Sequence, residues 1–234
     1  MVAVTALALF LLQSAIFTLF IIAVRRQNIA VVINAVVAFV LPLLPAVVEI
    51  GLSVILTRSV EFGPVLPVWL AVAGFLHLLG MLGLYESTWW WDHLTHTVSA
   101  ALVATLLYAG VITTLPAIAG TGDSSGIVVI VTVVFTFAIG VFWELLELVA
   151  REVGERFDIE PVLIHYGWRD TIVDLGFDVV GAFLVIGADL RIFVPLMEQF
   201  PSVTGAVLVG SGWIVFGGSV LMVLLLGLGS SMKF

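Results

Sequence analysis

The sequence predicts an all-α protein, a polytopic transmembrane helix bundle of about seven spans, and three observations carry that prediction. Of the 234 residues, 62% are hydrophobic and 10% charged, against roughly 45–50% and about 25% in soluble domains. The mean hydropathy is +1.28. The apolar residues also gather in runs near the roughly 20 residues that an α-helix needs to cross the hydrocarbon core, without the short alternating strands of a membrane β-barrel. A multi-pass location in the cell membrane follows.

Seven runs fit, over residues 2–24, 29–56, 66–84, 93–115, 127–150, 171–193 and 204–228. The first lacks the cationic start and small-residue cleavage site of a secretory signal, so it reads as a retained helix. In the second, Pro42 and Pro45 each remove a backbone donor and predict a kink near Leu43-Leu44, with Glu49 beyond it in the outer half. The third carries a lone His77, which reads as a satisfied interhelical donor. The fourth follows Trp89, Trp90 and Trp91, residues expected in an interfacial aromatic belt.

A Gly/Ser-rich linker, 119–126, leads to the fifth span. Residues 151–169 then form a longer connection of mixed charge, in which Gly154, Pro161 and Gly167 are expected to interrupt any continuous helix and His165 to be solvated. At the outer end of the sixth span Asp189 and Arg191 read as a surface pair, and in the seventh Gly210-Ser211-Gly212 reads as a close-packing position. No internal repeat supports an inverted-repeat transporter. The chain therefore reads as a single transmembrane domain, 1–234.

Across seven spans the basic residues divide unevenly. Arg25, Arg26, Arg151, Arg156, Arg169 and Lys233 fall on one side, Arg58 and Arg191 on the other. The positive-inside rule places the larger group in the cytoplasm, with the N-terminus outside and the C-terminus cytoplasmic. A net charge of -8 with a single lysine disfavours nucleic-acid binding and a polybasic lipid-binding face. The acid-rich, lysine-poor loops fit a halophilic, high-salt cytoplasm. The absence of cysteine removes thiolate chemistry.

Ionisable groups at membrane depth are costly and mark function. Three segments carry them: Asp92-His93-Leu94-Thr95-His96 opening the fourth span, Glu144-Leu145-Leu146-Glu147 near the end of the fifth, and Asp170, Asp174 and Asp178 in the sixth. Positions three or four apart share a helix face, so His93 aligns with His96, Glu144 with Glu147, and the three aspartates form one stripe. The expected orientation brings all three segments to the cytoplasmic side at matching depths.

So many carboxylates in low dielectric need a compensating positive or protic group. A divalent metal held by His93, His96, Glu144, Glu147, Asp170, Asp174 and Asp178 is one solution. Nitrogen and oxygen donors suit zinc, manganese or iron, with calcium or magnesium as carboxylate-only alternatives. A buried network with Arg169 as its hub is a second, and a proton or cation path a third. In an enzyme, the metal or a raised-pKa glutamate, Glu144 or Glu147, would activate water, with Asp92 or His96 as general base and Arg169 holding a phosphate or carboxylate. The substrate would be a membrane lipid or lipid-linked molecule. A transporter, or a scaffold for a homo-oligomer or another membrane protein, uses the same architecture. Ser99, at i+3 from His96, has no Gly-x-Ser-x-Gly elbow around it, and phosphate-cradling glycine loops and flavin or haem motifs are also absent.

Leu41-Pro42, Glu49, Tyr85, Trp91-Asp92, His96, Trp143-Glu144-x-x-Glu147 and Asp170-Thr171-x-x-Asp174-Leu175-x-x-Asp178-x-x-Gly181-Ala182 form a pattern over residues 30–185. It resembles the YjdF-type polytopic membrane proteins and, more weakly, VanZ-like proteins. The resemblance implies a family constellation of Asp92, His96, Glu144, Glu147, Asp170, Asp174 and Asp178, with His93 outside it. Ala100 stands where that family's pattern leads one to expect glycine. Residues 186–234 read as a C-terminal helical extension.

Overall fold

The computed structural model describes the backbone of residues 2–57, 59–119 and 125–231. Arg58, Lys233 and residues 120–124 of the expected linker lie outside the described residues. Helices form α1 (Val2–Arg25), α2 (Ile29–Val40), α3 (Leu44–Leu56), α4 (Val65–Leu79), α5 (Tyr85–Ser87), α6 (Trp91–Ala119), α7 (Ser125–Phe157), α8 (Trp168–Gly187), α9 (Val194–Met197) and α10 (Pro201–Ser231). Among the described residues there is no strand. The chain is a multi-pass membrane protein: Ala3–Arg25, Ile29–Leu56, Val65–Ser87, Trp91–Leu115, Ser125–Phe157 and Pro201–Leu228 are long and apolar enough to cross a bilayer.

The sixth expected span is the exception. It is a helix of 20 residues, long enough to cross, but Arg169, Asp170, Asp174 and Asp178 keep it out of the strongly apolar set. It also stops at Gly187, short of residue 193. Asp189 turns left-handed at φ 47, and Leu190 N donates to Val185 O, closing the helix end.

The chain divides into two compact units, Met1–Thr95 and His96–Phe234. In the first, the Pro42–Pro45 break falls where expected, as a tight turn at Leu41–Leu43 between α2 and α3. Its core joins Ile16 and Ala23 of α1, Val31, Ala35 and Ala38 of α2, and Ala71 and Leu78 of α4. Small residues let these helices approach closely, since lipid supplies no hydrophobic force between them. At Gly74, a methyl group would stand 2.8 Å from the Ala38 Cβ.

The third expected span is interrupted by a wide π-type turn at Gly80–Leu84, where Gly83 takes φ 129. The Tyr85 ring lies over Gly80, in space a Cβ would fill. His77 therefore meets a partner in its own span: its Nδ1 is 2.8 Å from Tyr85 Oη. Trp91 Nε1 donates to Leu76 O at 3.1 Å, so this tryptophan closes the interrupted helix.

The second unit packs Ala104, Tyr108 and Val111 of α6 against Val128 of α7 and Ala182 and Val185 of α8. Gly181 brings α8 close to α6; a Cβ there would lie 2.7 Å from Thr97 O and 3.2 Å from the Ala100 Cβ. Alanine at position 100 is thus accommodated by glycine on the facing helix. Many large apolar side chains are exposed, among them Phe10 of α1 and Trp213 and Ile214 of α10, a surface suited to lipid.

The connection after α7 departs from expectation. Gly154 does not break the helix, which continues to Phe157 and ends at Asp158 with φ 53. Ile159 N then donates to Gly154 O at 3.0 Å, and the chain folds back over that glycine. A Cβ at 154 would lie 2.9 Å from Ile159 O and 3.1 Å from the Pro161 Cβ. The glycine therefore permits the reversal.

Candidate metal centre

The fold-back carries His165 toward the buried face of α7. The expectation of a solvated His165 is overturned: its side chain is only 5% exposed, and Nδ1 lies 3.9 Å from Glu144 Oε2. Burial, and then the nearby Arg151, push its imidazole below the ordinary histidine pKa, with Asp170 opposing them. Its resting form is neutral, the form that binds a metal.

Glu144 is buried, and Thr171 Oγ1 of α8 donates to its Oε2 at 2.7 Å. Its other oxygen, Oε1, is buried without a partner among the described residues. A carboxylate oxygen removed from water and left unmade is costly, and such an atom calls for a ligand. Glu147 stands one turn further along α7, and its Oε1 accepts from Trp143 Nε1 at 2.9 Å. One ligand atom each from Glu144, Glu147 and His165 lies within 4.8 Å of the others. The separation of 3.9 Å between His165 and Glu144 is too long for a hydrogen bond. These three residues could hold a metal ion.

Beside them, His96 Nδ1 faces Asp178 Oδ1 at 3.2 Å, with side-chain exposures of 12% and 6%. Asp174 is buried and offers an oxygen within 4.8 Å of a His96 nitrogen. Asp178 also packs against Gly140, one turn before Glu144, where any Cβ would overlap its carboxylate and approach Leu175 Cδ2 to 3.0 Å. Glycine on α7 thus admits the aspartate of α8.

Arg169 does not take the hub position expected of it. It is exposed, its guanidinium stacks 5.4 Å over the Trp168 ring, and it joins no carboxylate among the described residues. At the first turn of α8 a long side chain reaches outward more readily than it turns back into the packed helices. Asp170 is half-buried beside it. Asp92 and His93 belong to the first unit. There Thr95 Oγ1 donates to Asp92 O at 2.7 Å and lies 3.4 Å from Asp92 Oδ1, while the His93 ring meets Trp89 edge to face at 6.3 Å. At the other end of α8 the expected Asp189–Arg191 pair forms at 2.7 Å, and Tyr108 Oη donates to the same oxygen at 2.6 Å.

Reading by spacing missed three contributors: His165, Thr171 and Gly140. Gly140 had a usable signal, a glycine one turn from a buried glutamate. Thr171 had one as well, since it lies beside Asp170 on the acidic helix.

A family model described as "Predicted membrane protein (DUF2238)" matches residues 7–193. The chain belongs to this family. The DUF2238 match takes in α7, the fold-back and α8 complete, so the whole Glu144–Glu147–His165 group lies in the family region, while α10 lies beyond it. No curated protein and no solved structure matches the chain.

Proposed function

We propose that this DUF2238 member is a metal-dependent membrane enzyme whose centre is Glu144, Glu147 and His165. In this reading it acts at the cytoplasmic interface on a lipid or lipid-linked substrate. The observation that carries the reading is the buried, unpartnered Glu144 Oε1 beside two further donors. One imidazole and two carboxylates suit zinc, manganese or iron better than calcium or magnesium. Three protein donors leave a coordination position for water or substrate, the arrangement of catalytic rather than structural sites.

The position along the bilayer supports a membrane substrate. At 33 residues, α7 is about 50 Å long, well beyond the roughly 30 Å hydrocarbon core. The apolar part of α7 precedes Glu144, so the glutamates fall near the boundary. Exposed Trp143, Tyr166 and Trp168 suit an interfacial belt there. Arg151, Arg156 and Arg169 on the same connection favour the cytoplasmic side under the positive-inside rule. His96, held by Asp178, is the group best placed to take up a proton in the second unit. Asp174 supplies further negative charge beside His96 and Asp170 supplies it beside His165, and Arg169 remains free to meet an anionic headgroup. The Trp91-Asp92, Glu144-x-x-Glu147 and Asp170 to Ala182 motif supports a likeness to YjdF-type proteins within this reading.

The test is elemental analysis of the full chain purified without chelators and supplied with zinc, manganese or iron. The wild type is expected to hold about one ion per chain, and Glu144→Gln and His165→Ala to lose it while retaining their helix content. A metal-free wild type at saturating supply overturns the reading, as does full occupancy in both variants.

A further inference from the structure

We infer that Thr171 is a metal-specificity residue: by holding one oxygen of Glu144, it makes that glutamate a one-oxygen ligand. The inference rests on the metal reading of the same site. Its observation is the cross-helix hydrogen bond, Thr171 Oγ1 to Glu144 Oε2 at 2.7 Å, beside the unpartnered Oε1 of the same carboxylate. The two oxygens are thereby distinguished. Oε2 is engaged by a donor from α8, while Oε1 is left without one.

Denticity matters because ions differ in what they accept. Calcium takes six to eight oxygens at about 2.3–2.6 Å and often binds a carboxylate through both. Zinc takes about four donors at roughly 2.0–2.2 Å and is satisfied by one oxygen per carboxylate. A Glu144 restrained by Thr171 favours the smaller ion, and His165 adds a nitrogen donor that calcium lacks use for. The restraint is local and stiff: Thr171 sits in the first turn of α8, where its own N–H donates to Gly167 O at 3.1 Å. Threonine is also β-branched, with few side-chain rotamers to lose.

Zinc, manganese and calcium affinities of the wild type, Thr171→Val and Thr171→Ser test this, with the full chain in detergent. Removing an orienting partner of a metal ligand costs about 10–100-fold in affinity. Thr171→Val should lose zinc and manganese affinity by that factor while calcium affinity holds or rises. Thr171→Ser, which keeps the hydroxyl, should stay close to wild type. If Thr171→Val binds zinc as the wild type does, the specificity role is overturned and the metal reading stands. If the wild type binds no metal, both fall together. Should Thr171→Val not fold, X-ray absorption on the zinc-loaded wild type decides: one-oxygen ligation by Glu144 supports the role, and two-oxygen ligation overturns it.

Discussion

Replacing Gly140 by alanine tests whether Asp178 is seated on α7 as the structure places it. The new methyl group overlaps the Asp178 carboxylate and approaches Leu175 Cδ2 to 3.0 Å. The leucine tip can move aside. Asp178 cannot move without lengthening its 3.2 Å contact to His96. Losing a hydrogen bond to a charged group costs about 1.5–3 kcal/mol, and a glycine-to-alanine change in a helix returns about 1 kcal/mol. The net is a destabilisation of about 0.5–2 kcal/mol, or roughly 1–8 °C in melting temperature for a chain of this size. Gly176→Ala on α8 is the control, because a Cβ there meets nothing within 4 Å. That variant should match or slightly exceed the wild type. Thermal unfolding in detergent, followed by circular dichroism, reads both. A double-mutant cycle sharpens the result: in a His96→Ala background the Gly140→Ala penalty should shrink, since the contact it breaks is gone. Equal penalties in the two backgrounds, or a stabilised Gly140→Ala, would refute the seating of Asp178.

Three further outcomes are expected. Because the His165 pKa lies below its ordinary value, its contribution to stability is full above the unfolded pKa of about 6.5 and is lost as pH falls through the lowered folded value. Zinc affinity measured against pH should fall off at a pH below the ordinary histidine value, and Arg151→Gln, which removes a cation acting on His165, should move the fall-off upward; a fall-off unmoved or moved downward contradicts this. Gly154→Val, whose side chain would strike Ile159 O and Pro161, should displace the fold-back and reduce metal affinity even though no donor is altered; unchanged affinity would show that the reversal does not set His165. Tyr85→Phe removes the hydroxyl facing His77 but keeps the ring over Gly80. It should lower stability by about 1 kcal/mol with metal occupancy intact, and a loss of metal would show that the first unit takes part in binding.

The spans were legible because membrane helices announce themselves by length and apolarity, and the two prolines marked the α2–α3 break. The site was legible only where helical phase decides position. Glu144 and Glu147, and the stripe through Asp174 and Asp178, follow from a period of 3.6 residues. His165 has no such signal, since its place depends on a left-handed Asp158 and on the absence of a side chain at Gly154, both set by tertiary contact. Arg169 misled for a related reason. Charge alone made it the natural partner of the acids, but stacking on Trp168 and access to the interface outweigh return into the helices. The turn at Gly80–Leu84 had a sequence cue in the paired glycines Gly80 and Gly83, which an apolar-run reading passes over.

The most direct measurement of the central claim is anomalous diffraction from crystals of the full chain grown with zinc or manganese, recorded at the absorption edge of the metal. A single strong peak is expected between α7 and the fold-back, about 2.0–2.2 Å from Glu144 Oε1 and from donors of Glu147 and His165, and absent from Glu144→Gln. A wild-type map with no peak at Glu144 under saturating metal, or with its peak elsewhere in the chain, would contradict the account.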